Sequence, residues 1–449
     1  MTAADLDLSL APGTEPAGRP AEGIRQHDTH RALVDQAGPR DVPLAGQALD
    51  AIIVPASRPA ANLDQAVTLA RAASCRLLIL CSHRVRPEQV RELLRERSFK
   101  QAIVIDLPDG YHHPLLDFPA LRSVRRDLPD ACSSYVTDLS TKRNVGLLLA
   151  RMLGWQRIFF LDDDIRDITY PDLQSTVSML GSFPAVGMRV TDYPDNSVVC
   201  HAHRVTGASQ DVFVTGAALA VDCHADIGFF PDVYNEDWLF FFDDASHGRL
   251  ATSGLEVTQL RYEPFADPQR AAWQEFGDVL AEGLYGLLHL GKGAQDANRD
   301  YWAQFLKARQ SFLEAITERS HLADVDVQEQ MVLSVKSALS CSAGIKPELC
   351  ERYIRAWRQD LAGWRRRIAG LSTTMALDEA LEVLRLSPAT DRHPAWPVQH
   401  RPGATAESGV RGPVMLPWSG TFKELAERAD GLGHDPAKEP VLTSDYYQG

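Results

Sequence analysis

The chain lacks any uninterrupted apolar run long enough to span a bilayer, so no membrane insertion is expected. Its seven cysteines (Cys75, Cys81, Cys132, Cys200, Cys223, Cys341 and Cys350) form no Cys-x-x-Cys pair. An odd, irregularly spaced set suits reduced thiols in a cytoplasm. The opening MTAADLDLSLAPGTEP carries early acids and no apolar core, unlike a secretory signal. Acidic residues outnumber basic ones, 60 to 46. The net charge of −14 would repel the phosphates of nucleic acid, so no such partner is expected. No internal repeat of fixed period is present either. The reading is of a soluble, cytoplasmic protein.

What is there is ample material for a core, since 45% of the 449 residues are hydrophobic. Residues 1–48, rich in Ala, Pro, Gly and Asp, read as a flexible leader. A repeating unit then begins. ALDAIIVPASRP predicts a buried strand over Ala51 to Val54, broken by Pro55. NLDQAVTLARAAS predicts a helix with Asn62 as its N-cap, CRLLILCS a second strand and RPEQVRELLRER a second helix. QAIVIDLPDG predicts a third strand, ending at Asp106. Strand–helix alternation at this spacing implies right-handed crossovers and a parallel sheet, whose ligands lie beyond the carboxyl ends of the strands.

TKRNVGLLLARMLG predicts the next helix, and RIFFL the next strand, which runs straight into Asp162, Asp163 and Asp164. Adjacent carboxylates repel, so a folded chain places them in water or around a cation. Candidate strands follow at AVGMRV, SVVCHAHRV and DVFVTGAALAVD. In the second of these His201 and His203 would share one face. From about Asp267 to Leu386 amphipathic helices dominate, and beyond Pro388 little core-forming pattern remains apart from a short helix at GTFKELAERAD.

Three features in order carry a resemblance: a strand with a small/Pro/Arg loop, a KRN helix start before a strand ending in DDD, and FFPDVYNEDWLFFF after a glycine-bearing segment. Together they resemble the GT-A glycosyltransferases, nearest to family 2. The resemblance covers roughly residues 50 to 265. It implies an α/β fold with a mixed, mostly parallel Rossmann-like sheet and a C-terminal helical domain. The division it suggests is a leader at 1–48, a GT-A domain at 49–266, a helical domain at 267–387 and an irregular tail at 388–449.

The resemblance implies the following roles. Asp162 and Asp164 would hold Mn²⁺ or Mg²⁺ on the diphosphate of a nucleotide sugar, Asp162 also touching ribose or sugar, with Asp163 the lesser member. Such a cation stabilises the departing nucleoside diphosphate. Pro55, Ala56, Ser57 and Arg58 would line the nucleoside. Asp106 would meet the base or simply end its strand. Lys142, Arg143 and Asn144 would offer positive charge and free amides to phosphate at a helix start. Gly216 and Ala217 would let the sugar lie against backbone, or form a bulge. Asp237, ahead of Glu236, would be the general base that deprotonates the acceptor. His247 or His289 would add a third metal ligand, with nothing to choose between them.

The donor would be UDP-linked rather than GDP-linked on family frequency, and the acceptor a small molecule. The helical part would shape the acceptor side or an oligomer contact. The contiguous triad departs from the wider acidic spread usual in family 2. Haloacid dehalogenase-type phosphatases need different residues after the second Asp, and sugar nucleotidyltransferases need a glycine-rich loop that PASRPAANLD lacks. The alternative is a non-catalytic sugar-nucleotide-binding or scaffold protein on the same frame.

Overall fold

The computed structural model describes residues 26, 30–35, 48–133, 137–193, 197–209, 214–223 and 226–388. Its strands are β1 (Ala51–Ala56), β2 (Arg76–Cys81), β3 (Ala102–Asp106), β4 (Arg157–Leu161), β5 (Ile165–Arg166), β6 (Ala185–Val190), β7 (Ala218–Asp222) and β8 (Leu250–Gln259). They form one sheet in the order β3-β2-β1-β4-β7-β6-β8-β5. The first four are mutually parallel, as the alternation predicts. β1 extends through Pro55, which is tolerated because β4 pairs only with Ala51 to Ile53, so no ladder bond to β4 is needed there.

β7 is antiparallel to both β4 and β6, while β8 runs parallel to β6. The start of β7 and the ends of β1, β4, β6 and β8 therefore meet at one edge. Chain direction, not proximity in sequence, assembles that edge.

Both faces of the sheet are buried, which is why its strands read as continuous apolar runs. Ile53, Leu78, Leu80 and Phe160 face one cluster, and Ile52, Val54, Leu77, Ile79 and Phe159 the other. The first cluster continues without a break through Trp238 and Phe240 to Trp302 and Trp364. The helices Gln269–His289, Arg299–Glu318 and Pro347–Ala369 thus share the core of the sheet. Side chains of the helical region join the buried cluster on that face of the sheet.

Within the stretch read as a leader, His30 and Val34 are buried, and Asp35 donates to Leu250 O and accepts from Thr252 N. Three expectations change. SVVCHAHRV holds a helix, Val198–Val205, because Ser197 caps it and Val198, Val199 and Ala202 form a helical apolar face. On a helix, residues two apart point to different sides, so His201 and His203 share no face. Cys132 and Cys341 form a disulfide across 209 residues, while five cysteines are free and buried. Asn62 lies in a short 3-10 turn ahead of the helix Asp64–Ala72, where its Oδ1 accepts from Arg166. The expected helix at GTFKELAERAD lies outside the described residues.

The helix Leu139–Met152 is buried along nearly its whole length. Its Asn144 side chain donates to Phe230 O at 2.7 Å and accepts from Phe230 N at 2.9 Å, a two-bond clamp on the segment before Glu236. Asn144→Ala leaves both backbone groups buried without partners. It should lower unfolding free energy by about 3 kcal/mol, read from urea denaturation. A loss near zero would show that the clamp is dispensable.

Candidate active site

Strand order reverses between β1 and β4, and the crevice at such a reversal is where open α/β sheets bind ligands. Loops from both strands enter it. Asp163 Oδ2 accepts from the amides of Ser57 and Arg58, each at 2.7 Å, and its Oδ1 accepts from Arg58 Nη1 at 2.6 Å. This carboxylate ties the β4 end to the β1 loop. Arg58, half exposed, also pairs with Asp164 Oδ2 at 2.8 Å, and Gln259 Nε2 donates to the same oxygen at 2.9 Å.

Asp162 faces the other way. Its two oxygens accept from Arg143 Nη2 at 3.0 and 2.9 Å, and Arg143 Nη1 bonds Glu236. Arg143 also lies over the Phe230 ring, 5.3 Å from its centroid. Asp237 Oδ2 accepts from Gly216 N at 2.7 Å. A side chain at Gly216 has no room, since a Cβ would stand 2.9 Å from Arg143 Nη1 and 3.0 Å from Asp237 Cβ. Gly216 is therefore present for close packing of the acidic pair.

Several expected contributors sit differently. Pro55 and Ala56 are buried strand residues, so only Ser57 and Arg58 of that loop reach the crevice. Lys142 is fully buried, its Nζ donating to Ala56 O at 2.8 Å and Ser57 Oγ at 2.9 Å, with Asp138 at 3.2 Å. Burial lowers its pKa. The helix begins at Leu139, so the Lys142 amide is already bonded to Asp138 O and offers nothing to phosphate. Asn144 is spent on Phe230. Ala217 contributes its carbonyl, which accepts from Asp162 N at 2.8 Å. Asp106 is exposed at the end of β3.

The two histidines are not brought to the aspartates. His247 precedes β8, whose Leu250 lies level with the start of β6, at the opposite edge of the sheet. His289 Nε2 lies 2.9 Å from His30 Nδ1, in a cluster with Glu282 and Trp238. Trp238 itself is core. Gln259, not foreseen, joins Asp164 across 95 residues, and no local signal announces it.

Asp162 and Asp164 present hard oxygen donors at alternate positions, suited to a magnesium-like cation. Among the described residues no group of three or more His, Cys, Asp or Glu could hold an ion. Such a cation is usually held by one or two carboxylates and completed by water and substrate phosphates. Asp164 fits that manner of binding better than Asp162, because its neighbouring guanidinium, Arg58, is half exposed, whereas Arg143 is buried. Two carboxylates do not complete the shell of a hard cation, so further oxygens would have to come from water or a ligand.

No family model and no curated protein matches the chain. Among solved structures it is similar to a mannosyltransferase from Pyrobaculum calidifontis in complex with GDP-Man and Mn2+, at 12% identity and a TM-score of 0.34, over 76% of this chain and 91% of that chain.

Burial pushes the carboxyls up against the pull of Arg143: Asp162 to about 6, and Glu236 and Asp237 upward as well. The unfolded chain releases these protons first, near pH ~4. Their contribution to stability is therefore fullest below that value and is lost as pH rises through the raised folded-state values, about 6 for Asp162. Arg143→Met removes the compensating charge and should cost about 3–5 kcal/mol at neutral pH. The loss should shrink towards pH ~4, where the carboxyls are neutral. Denaturation at several pH values checks this, and a pH-independent loss rejects it.

Proposed function

We propose that the protein is a glycosyltransferase of the GT-A type, related to family 2, moving a sugar from a nucleotide-diphosphate sugar to a hydroxyl of a small-molecule acceptor. One observation carries the reading. Asp162, Asp164, Glu236 and Asp237 converge with Arg58 and Arg143 at the crevice where the strand order reverses. Carboxylates and guanidinium groups in one crevice can serve both a leaving diphosphate and the deprotonation of an attacking hydroxyl.

In this reading the nucleoside lies along Ser57, Arg58 and Asp106. A carboxylate at Asp106 accepts from the imino hydrogen of uracil or of guanine, so UDP- and GDP-sugars are both donors to test. Asp164, with Asp162, would hold Mn²⁺ or Mg²⁺. The bound cation would neutralise charge on the departing diphosphate. Arg58 would be released from Asp164 and turn to phosphate.

Asp237 is the base, because it is partly exposed and its oxygens accept only backbone amides. Glu236 is buried and committed to Arg143. Its role is to hold Arg143, which in turn holds Asp162. The upward shift of Asp237 places a base closer to the working pH than an ordinary carboxylate.

Thermal-shift screening of UDP, GDP and their sugars with and without Mn²⁺ tests the proposal. Stabilisation by a nucleoside diphosphate should require the cation, and Asp164→Ala should remove it. Asp237→Asn should keep the shift while lowering transfer about 10²–10⁴-fold. The absence of any cation-dependent shift would reject the reading. A second reading, binding without turnover, is favoured by the arginine pairing of Asp162 and Asp164. It would be supported by a normal shift with no transfer over a broad acceptor panel.

A further inference from the structure

The acidic pair is aimed from outside the sheet. Asn235, immediately before Glu236, has φ +59°, in the left-handed region that its short polar side chain tolerates. Its Nδ2 donates to Asp278 Oδ1 at 2.8 Å, in the middle of the helix Gln269–His289. Asp278 Oδ2 in turn accepts from Arg309 at 3.1 Å, and Arg309 grips Glu275 with two bonds at 3.0 and 2.7 Å. Glu275, Asp278 and Arg309 are all at most 1% exposed.

The same helix holds both flanks of the pair. Gly277 lies against Tyr234, whose O would be 2.2 Å from a Cβ at that position, so only glycine admits the loop. About two turns further on, Tyr285 OH donates to Trp238 O at 3.1 Å. Residues 234, 235 and 238 are thus fastened to one helix, with Glu236 and Asp237 between them.

A buried ion pair with satisfied hydrogen bonds is weak evidence for stability, because desolvation offsets much of its attraction. Its better-attested use is to select one arrangement among several. Here Asn235 ends the network and turns the chain just before the two carboxylates.

We infer that Asn235 and Asp278, held by Arg309 and Glu275, are positioning residues. They set the rotation that brings Asp237 onto the Gly216 amide and Glu236 onto Arg143. The helical region thereby orients the base. The inference rests on the transfer reading for its kinetic consequence, but not for its structural one.

Asn235→Gly keeps the left-handed conformation accessible and removes the bond to Asp278. Asn235→Asp keeps much of that conformational tolerance and sets two carboxylates against each other. The double exchange Asn235→Asp with Asp278→Asn restores the bond with donor and acceptor reversed. Each single variant at Asn235 should lower kcat by about 10²-fold, the cost of a misplaced catalytic group. The donor KM should change far less than kcat, since Asp164 and Arg58 lie outside this chain of contacts. The double exchange should recover most of kcat. Independently of turnover, hydrogen exchange at the Gly216 amide should speed up in the single variants and slow again in the double one. Unchanged Gly216 protection in both single variants overturns the inference. If the wild-type protein transfers no sugar, the transfer reading falls, and Gly216 protection still decides the positioning claim.

Discussion

The buried guanidinium of Arg143 makes the crevice possible. Asp162 comes from the end of β4 and Glu236 from a segment some seventy residues later, and both carboxylates are largely withdrawn from water. Brought together alone they would repel and take up protons. With Arg143 bonded to both, they stand side by side. Asp162 and Glu236 in turn raise the pKa of Arg143 against the cost of its own burial, so its charge is secure. Gly216 is required because the guanidinium fills the space a side chain would need.

Around that centre the three contiguous aspartates divide their work. Asp163 points to the β1 loop and holds it by two amides and Arg58. Asp162 turns to Arg143, and Asp164 to Arg58 and Gln259. The division follows from the chain leaving β4 at the point where β1 lies on one side and β7 on the other. The antiparallel course of β7 puts its first residues beside the last of β4, which is how Gly216 and Ala217 arrive at the acidic cluster. The helices then complete the structure, since Gln269–His289 fastens the Glu236–Asp237 segment at both flanks.

Much of this was legible along the chain. The four parallel strands announce themselves because a strand buried on both faces must be apolar at every position. The triad follows the fourth of them directly, so its place at the carboxyl edge follows from the strand. The misreadings have particular causes. SVVCHAHRV has enough β-branched residues to pass for a strand, but Ser197 caps a helix there and Gln274 accepts from Val198 N. Lys142 looks like a cation for a ligand, yet its position one turn into a buried helix sends it to the β1 carbonyl. His30 and Val34 sit in a stretch of low apolar content whose order comes from contact with β8 and the helices.

By itself, then, the sequence determined those things that depend on local period and chain direction: the order of strands and helices, the parallel half of the sheet, and the edge on which Asp162 to Asp164 stand. Tertiary structure alone decided which charges meet. Arg143 with Glu236, Asp164 with Gln259, Asn235 with Asp278, and Cys132 with Cys341 are each joined across many residues. The reason is physical. Hydrophobic periodicity is imposed by the backbone within a few residues, whereas the partner of a buried charge is whatever the folded chain places within reach, and that distance is not written in its neighbours.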